Sequence, residues 1–572
     1  MLPTFALLLL LALGVSLLAS LPKHLHLHRT DDAHFLDKFA SDARSKQTLA
    51  FPAGFSFGIA TAPAHVEDQL DDAWLEFARK GRVAAWKNAV APEQRIKFWS
   101  EPHEEIHLAS ELGVDTFRLG VDWARVYPQG PDGGADKGVL VKYRNILDEI
   151  KKSKMKVMLT LFHHSLPSWS AELGGWTNAT TVGHFVEFAS HVVDAMGDLV
   201  DVYTIFNEPH VYVLLTHCAG VWPPGEKPDM VEAALCLAPS AAQGAYTASL
   251  INMAEAHKRV HAIVKRKDAN TMVGAAHHIG VLTPNGPADV VPAAWSHFMF
   301  TFYFPDLIAS HVDFLGVNYY GQELLAGADV AVSPTEEYSE AGRGVYPDGL
   351  YHFLLAFHRR YGSKLPLWVT ENGVADATDN LRPVYLMEHL LAIQAAIARG
   401  VKVLGYVFWT MSDNWEWADG YCPKFGLVEV RRSLKDDGTL ALERVKRRSF
   451  GVYQKIIQSN AVDTREREAS WDELMRLAKE NATRPFCRAL EGVGGMTGAF
   501  GLDEPVHRPW IAKDWRLGAY RTHAAEHIGV EHLPLPWHTT PEWMISKDVA
   551  KGLAYIYESS VNVSSRVIRD EL

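Results

Sequence analysis

The chain has 572 residues, 48% of them apolar, with 42 glycines and a formal net charge of −12. Such a chain buries a large core, and its length suggests roughly two to four domains, although a single α/β barrel can absorb well over half of it. The acidic balance, with no basic stripe interleaved with aromatics, argues against a nucleic-acid partner.

Residues 1–21 are apolar apart from Thr4, Ser16 and Ser20. The segment matches the apolar region of a signal peptide and approaches the roughly 20 residues that span a bilayer, so it reads as a signal peptide or a membrane anchor. Residues 22–54 read as an N-terminal linker. From residue 55, short β-branched or aromatic runs alternate with helical-period stretches, the pattern of parallel strands joined by crossover helices. Candidate strands are 57–61, 116–120, 156–162, 203–207, 272–277, 314–318, 367–370 and 403–409, with helices such as 102–112 and 385–399 between them. Eight runs predict an α/β fold, a (β/α)8 TIM barrel over residues 55–459.

Polar and aromatic groups gather where these strands end: His65 and Glu67, Arg118, His163, Asn207 and Glu208, Asn318 and Tyr320, Glu371, then Trp409 to Trp417. In this barrel class the active site is built at that face. The alternation stops near 453–457. Residues 460–572 form a C-terminal extension, with a short amphipathic helix at 471–480 and a glycine-rich stretch at 492–501. The extension reads as a packed subdomain or, on the strength of its tryptophans, as a membrane-docking element or a cover for the acceptor side of the pocket.

The chain finishes Arg569-Asp-Glu-Leu572, close to the retrieval tetrapeptide of the endoplasmic reticulum. Asn178-Ala-Thr180, Asn481-Ala-Thr483 and Asn562-Val-Ser564 are glycosylation acceptors for a chain that enters that lumen. The cysteines are Cys218, Cys236, Cys422 and Cys487, without zinc-site spacing. Cys218 and Cys236 share one loop region and would pair in an oxidising compartment; four buried thiols are the other reading.

Glu208 lies in Thr204-Ile-Phe-Asn-Glu-Pro-His210 and Glu371 in Leu367-Trp-Val-Thr-Glu-Asn-Gly373. A lone strand-end glutamate is ordinarily a solvated or salt-bridged carboxylate. Two of them on separate strands of one barrel can face each other across a sugar ring, about 5–5.5 Å apart in a retaining glycosidase. The 17 tryptophans include several in turn-like contexts, where flat faces suit sugar rings.

Asn207-Glu-Pro, Thr370-Glu-Asn-Gly and Trp409-Thr-Met-Ser-Asp-Asn-Trp-Glu-Trp417 resemble, in order and spacing, the signatures of glycoside hydrolase family 1, the β-glucosidase and β-galactosidase family. Ala60-Thr-Ala-Pro-Ala-His-Val-Glu-Asp-Gln-Leu-Asp-Asp-Ala-Trp74, Leu159-Thr-Leu-Phe-His-His-Ser-Leu-Pro167 and Tyr338-Ser-Glu-Ala-Gly-Arg-Gly-Val-Tyr-Pro-Asp-Gly349 resemble in particular a plant subgroup, galactolipid galactosyltransferases of the chloroplast outer envelope. The resemblance implies galactosyl transfer between membrane lipids, with hydrolysis as the competing outcome. It makes Glu371 the nucleophile and Glu208 the acid/base, with Arg118 and Tyr320 supporting the nucleophile. It assigns sugar binding to His65, His163, Asn207, Asn318, Tyr320, Trp409, Glu416 and Trp417. Such a mechanism wants Glu371 ionised and Glu208 raised in pKa.

There are departures from the family pattern. His65 stands where glutamine is usual, Glu67-Asp68 replaces Glu-Gly, and His164-Ser165 stand where an aromatic residue and aspartate are common. These changes flank the sugar site and agree with the transferase subgroup rather than with simple β-glucosidase specificity.

The resemblance further implies a carbohydrate or galactolipid substrate, membrane association and a chloroplast outer-envelope location. The N-terminal segment and Arg569-Asp-Glu-Leu572 suggest the endoplasmic reticulum or secretory pathway instead. No metal cluster or cofactor motif is apparent; only the resemblance raises a divalent cation such as magnesium. One rival reading is a β-glucosidase or β-galactosidase acting on soluble glycosides. A more distant one is a non-catalytic carbohydrate-binding protein, which would ordinarily have lost one of the two carboxylates.

Overall fold

Runs rich in Val, Ile, Phe and Thr pair edge to edge in chain order. The computed structural model describes residues 31–86, 89–226, 228–237, 244–327, 329–488, 501–502 and 504–520. The 1–21 segment, the Asn562 acceptor and the Arg569-Asp-Glu-Leu572 terminus lie outside the described residues. The parallel strands are β1 (Ser56–Ala60), β2 (Thr116–Gly120), β3 (Lys156–Phe162), β4 (Val202–Asn207), β5 (Met272–Pro284), β6 (Phe314–Ala326), β7 (Leu367–Asn372) and β8 (Val403–Phe408). Each pairs with the next, and β8 pairs back onto β1 from Gly405↔Ser56 to Phe408↔Ile59, which closes the barrel.

Side chains along these strands alternate between two environments, as a two-residue period requires. Ile59, Phe117, Leu119, Val157, Leu159, Tyr203 and Ile205 belong to the large core cluster that extends into the surrounding helices. Ala60, Met158, Val202, Phe314, Trp368 and Val407 form a second, smaller cluster inside the barrel. By the same phase Arg118 of β2 points inward.

The strands appear where the apolar runs predict them, but β5 and β6 run further, to Pro284 and Ala326. Val281, Leu282, Leu324 and Leu325 keep the two paired beyond the rim. Among the helices, Pro102–Leu112 opens on a proline and closes on Gly113 at φ 87, the residue types those two positions favour. The predicted helix 385–399 is the later part of Leu381–Ala398.

Part of the predicted linker is instead ordered structure. Asp31–Ser45 is a helix because Ala33, Leu36, Ala40 and Ala43 recur at helical spacing, and all four are buried. Its Asp32 pairs with Arg359 and Arg399, and the following strand Thr48–Ala50 pairs antiparallel with Ala461–Asp463.

In the C-terminal extension the described residues pack on the barrel. The helix Thr464–Lys479 docks through Arg467, whose guanidinium donates to both oxygens of buried Glu388 at 2.6 and 3.0 Å. Strand Thr483–Phe486 pairs with Val506–Pro509, and Arg484 pairs with Glu337 in the stretch after β6. The reading of four free thiols is overturned: Cys218 pairs with Cys236, and Cys422 pairs with Cys487, tying the extension to the segment after β8. Among the described residues, no helix is long and apolar enough to cross a membrane.

Candidate active site

β4 ends in Asn207, and Glu208 precedes the short helix Pro209–Val213. Pro209 takes a helical position where its missing N–H costs nothing, and it disfavours the right-handed helical region for Glu208. Glu208 accordingly sits at φ 41, in the left-handed region that costs a non-glycine residue on the order of 1–3 kcal/mol. β7 delivers Glu371 from a buried strand end, just past Thr370, where its pairing with both neighbouring strands slips by one residue. Gly373 follows because a Cβ there would meet the Trp409 carbonyl oxygen at 1.9 Å.

One network joins the two glutamates. Arg118, fully buried, donates from Nη1 to Glu371 Oε1 at 2.5 Å and to the Thr370 carbonyl at 3.0 Å. Its Nη2 donates to Asn207 Oδ1 at 2.7 Å and its Nε to Thr160 Oγ1 at 3.2 Å. Asn318 Nδ2 donates to the same Asn207 oxygen at 3.0 Å and to Glu208 Oε1 at 2.7 Å. The Tyr320 hydroxyl donates to Glu371 Oε2 at 2.7 Å. Arg118 therefore ties β2 to β3, β4 and β7, and a buried cation is tolerable only when paired in this way.

The remaining predicted residues surround this network. The Asn207 amide donates to His163 Nε2 at 2.9 Å and His164 Nε2 at 3.2 Å. His65 Nδ1 donates to Asn414 Oδ1 at 3.1 Å, and its ring stands edge-on to Trp417 at 4.0 Å and Trp409 at 5.0 Å. Glu416 lies 3.7 Å from His65 and is hydrogen-bonded by Trp409. The residues assigned to catalysis and sugar binding thus fall in one place, around the C-terminal ends of the strands, whereas Glu67 turns to Arg125 and Tyr143. Among the described residues His65 Nε2, His163 Nδ1, His164 Nδ1 and Glu416 Oε2 are buried without a hydrogen-bond partner. Hydroxyls, which both donate and accept, can satisfy all four.

Burial pushes the Glu371 carboxyl up to about 7; Arg118 pulls against that, and the facing Glu208 charge adds to it. Burial acts on Glu208 in the same sense, but the charge of His278, and then the hydrogen bond and charge of His164, bring it down to about 2. Burial raises both carboxyls, and Glu371 stands the higher because the imidazoles of His278 and His164 pull on Glu208, the reverse of the sequence expectation. That pull needs protonated imidazoles, and burial holds His278 down at about 4 and lowers His164 as well. Near neutrality both rings are uncharged, the pull is gone, and the two carboxyls hold one proton between them. Glu416 is also pushed well up, by burial and then by Asp419 and Glu371.

His278 is missing from the residues singled out by sequence. It follows the predicted end of β5, in register with Asn318, so the strand-end rule extended by one residue would have found it. Among the described residues no group of three or more His, Cys, Asp or Glu side chains could hold a metal ion.

The sequence profile of glycosyl hydrolase family 1 matches residues 47–309 and 299–462. The galactolipid galactosyltransferase SFR2, chloroplastic, of Arabidopsis thaliana is 44% identical over 523 residues, covering 82% of this chain and 82% of the relative. The beta-glucosidase-like SFR2, chloroplastic, of Oryza sativa subsp. japonica is 41% identical over 551 residues, covering 82% and 84%. Among solved structures, the β-glycosidase from Pyrococcus horikoshii matches with a TM-score of 0.62 at 26% identity, over 74% of this chain and 98% of that one.

Proposed function

Because the chain belongs to glycosyl hydrolase family 1 and is an enzyme of the glycosidase and transglycosidase class, we propose that it transfers a β-galactosyl group between galactolipids through a covalent glycosyl-enzyme. In the first step Glu371 attacks the anomeric carbon while Glu208 gives its proton to the departing glycosidic oxygen. In the second, an acceptor hydroxyl gives its proton to Glu208, bonds to the anomeric carbon and releases Glu371.

The observation that carries the chemistry is the bridge Glu371–Arg118–Asn207–Asn318–Glu208, which brings the two carboxyls to one pocket. One proton shared by that pair is what the first step consumes. Positive charge developing at the anomeric carbon favours an ionised Glu371 beside it and so moves the proton to Glu208. Arg118 and Tyr320 stabilise the returning Glu371 carboxylate. His65, His163, Asn207, Asn318, Glu416 and Trp417 hold the sugar hydroxyls, over Trp409.

The likeness to the Arabidopsis enzyme over 82% of both chains narrows the substrate to galactolipid. A chloroplast location and contact with a lipid surface belong to the same proposal. Transfer requires a sugar acceptor to outcompete abundant water, which orientation of a bound acceptor can supply.

The test is to incubate the enzyme with galactolipid vesicles and, separately, with soluble β-galactoside and β-glucoside. Oligogalactolipids are the expected products. Free sugar alone, from either substrate class, would replace transfer with plain hydrolysis.

A further inference from the structure

The two imidazoles that flank Glu208 are not equivalent. His164 Nε2 lies 3.7 Å from Glu208 Oε2, its side chain is 1% exposed, and it already accepts from Asn207. His278 Nδ1 lies 3.7 Å from Glu208 Oε1 and its side chain is 16% exposed, so it forms the open flank of this carboxyl. Asn318, opposite His278 in the β5–β6 register, donates to that same Glu208 oxygen. The His278 ring is stacked against Tyr320 and against His210, each at 6.2 Å between centroids, and this packing sets its plane. Glu371, by contrast, is enclosed by Arg118 and Tyr320. The leaving group and then the acceptor must approach on the Glu208 side, which is where His278 stands.

Water and a sugar hydroxyl differ in one way a protein can use: the sugar hydroxyl has neighbours on the same ring. Resting on the transfer reading above, we propose that His278 is an acceptor-side positioning residue, binding a second hydroxyl of the acceptor sugar while Glu208 takes the proton of the attacking one. Water has no second hydroxyl to anchor and gains nothing from the pair. In the step itself the acceptor O–H bond breaks and its proton passes to Glu208. The oxygen bonds to the anomeric carbon, and the bond from that carbon to Glu371 breaks, its electron pair returning to the carboxylate. His278 neither gains nor loses a proton. Held neutral by burial, it presents one donor and one acceptor, which suits a hydroxyl. The 3.7 Å between Nδ1 and Oε1 is short enough for adjacent hydroxyls of one ring to reach both groups.

The test uses the full chain with galactolipid vesicles, scoring oligogalactolipid and free galactose in the same reaction. His278→Ala is expected to lower the ratio of transfer to hydrolysis by about tenfold, the worth of roughly one hydrogen bond, with total donor consumption much less affected. His278→Leu, which restores bulk without polar atoms, should behave alike and serves if the alanine variant fails to fold. His278→Asn, which keeps a donor and an acceptor, should recover part of the ratio. A purely structural role predicts instead that transfer and hydrolysis fall together. An unchanged ratio in either apolar variant, or an equal fall in both products, overturns the proposal. A wild-type enzyme that yields only free galactose overturns the transfer reading itself, and that failure is distinguishable because it needs no substitution.

Discussion

Around Glu371 both carboxylate oxygens are met, by Arg118 at 2.5 Å and by Tyr320 at 2.7 Å. Around Glu208 the backbone is irregular: Glu208 lies at φ 41, His164 at φ 64 and Trp417 at φ 46, all non-glycine residues in the left-handed region. Its flanking histidines stand 3.7 Å away, and buried polar atoms of His163, His164 and His65 nearby have no partner among the described residues. One half of the pocket is a finished scaffold. The other stores backbone cost and unsatisfied polarity, which is where binding and specificity are ordinarily found. The difference sets a nucleophile whose partners the barrel supplies against an acid/base carboxyl whose surroundings are left for ligands to complete.

Substituting the two glutamates is the sharpest way to break that contrast. Glu371→Gln is expected to reduce turnover by about 10⁴-fold or more, with no rescue by a better leaving group, because no covalent intermediate can form. Steady-state rates on galactolipid and on an activated aryl glycoside would check this. Glu208→Gln should lose on the order of 10²–10⁴-fold on galactolipid but far less in the first step on an activated aryl glycoside, whose departing oxygen needs no proton. Equal losses on both substrates would remove the division of labour between the two carboxyls.

Stability should separate the halves too. Arg118→Met leaves the Glu371 charge buried and unpaired, a change expected to cost about 3–5 kcal/mol in denaturant unfolding. Glu208→Gln, whose neighbours are neutral near pH 7, should cost much less. The smallest expected effect concerns pH. Turnover should fall as pH rises through about 7, where the glutamate pair loses its shared proton, and fall again in acid as both carboxyls protonate. In Glu208→Gln the facing charge is gone, so Glu371 should ionise below about 7. The pH dependence of its labelling by an activated fluorosugar measures that shift.

Much of the barrel was legible because its strands announce themselves. Phe117, Leu119, Val157 and Leu159 alternate with inward residues, and the strand ends carry the polar groups of the site. The 102–112 helix was readable from its proline and glycine ends. Helix Asp31–Ser45 carries a helical-period stripe, but three of its four members are alanines, a weak apolar signal among charged residues, and its docking through Asp32 on Arg359 and Arg399 is tertiary. Cys422 and Cys487 are 65 residues apart, a spacing that carries no local signal. His278 lies one residue past the predicted strand 272–277, whereas β5 continues to Pro284.

Sequence by itself determined the period of the strands, the residue types at their ends and the two glutamates, since each is encoded by neighbours within a few positions. Tertiary structure alone decided which carboxyl is raised, that Arg118 serves four strands at once, and that His278 rather than His164 faces the opening. Those properties depend on burial and on charges brought together from distant parts of the chain, and no local pattern encodes them.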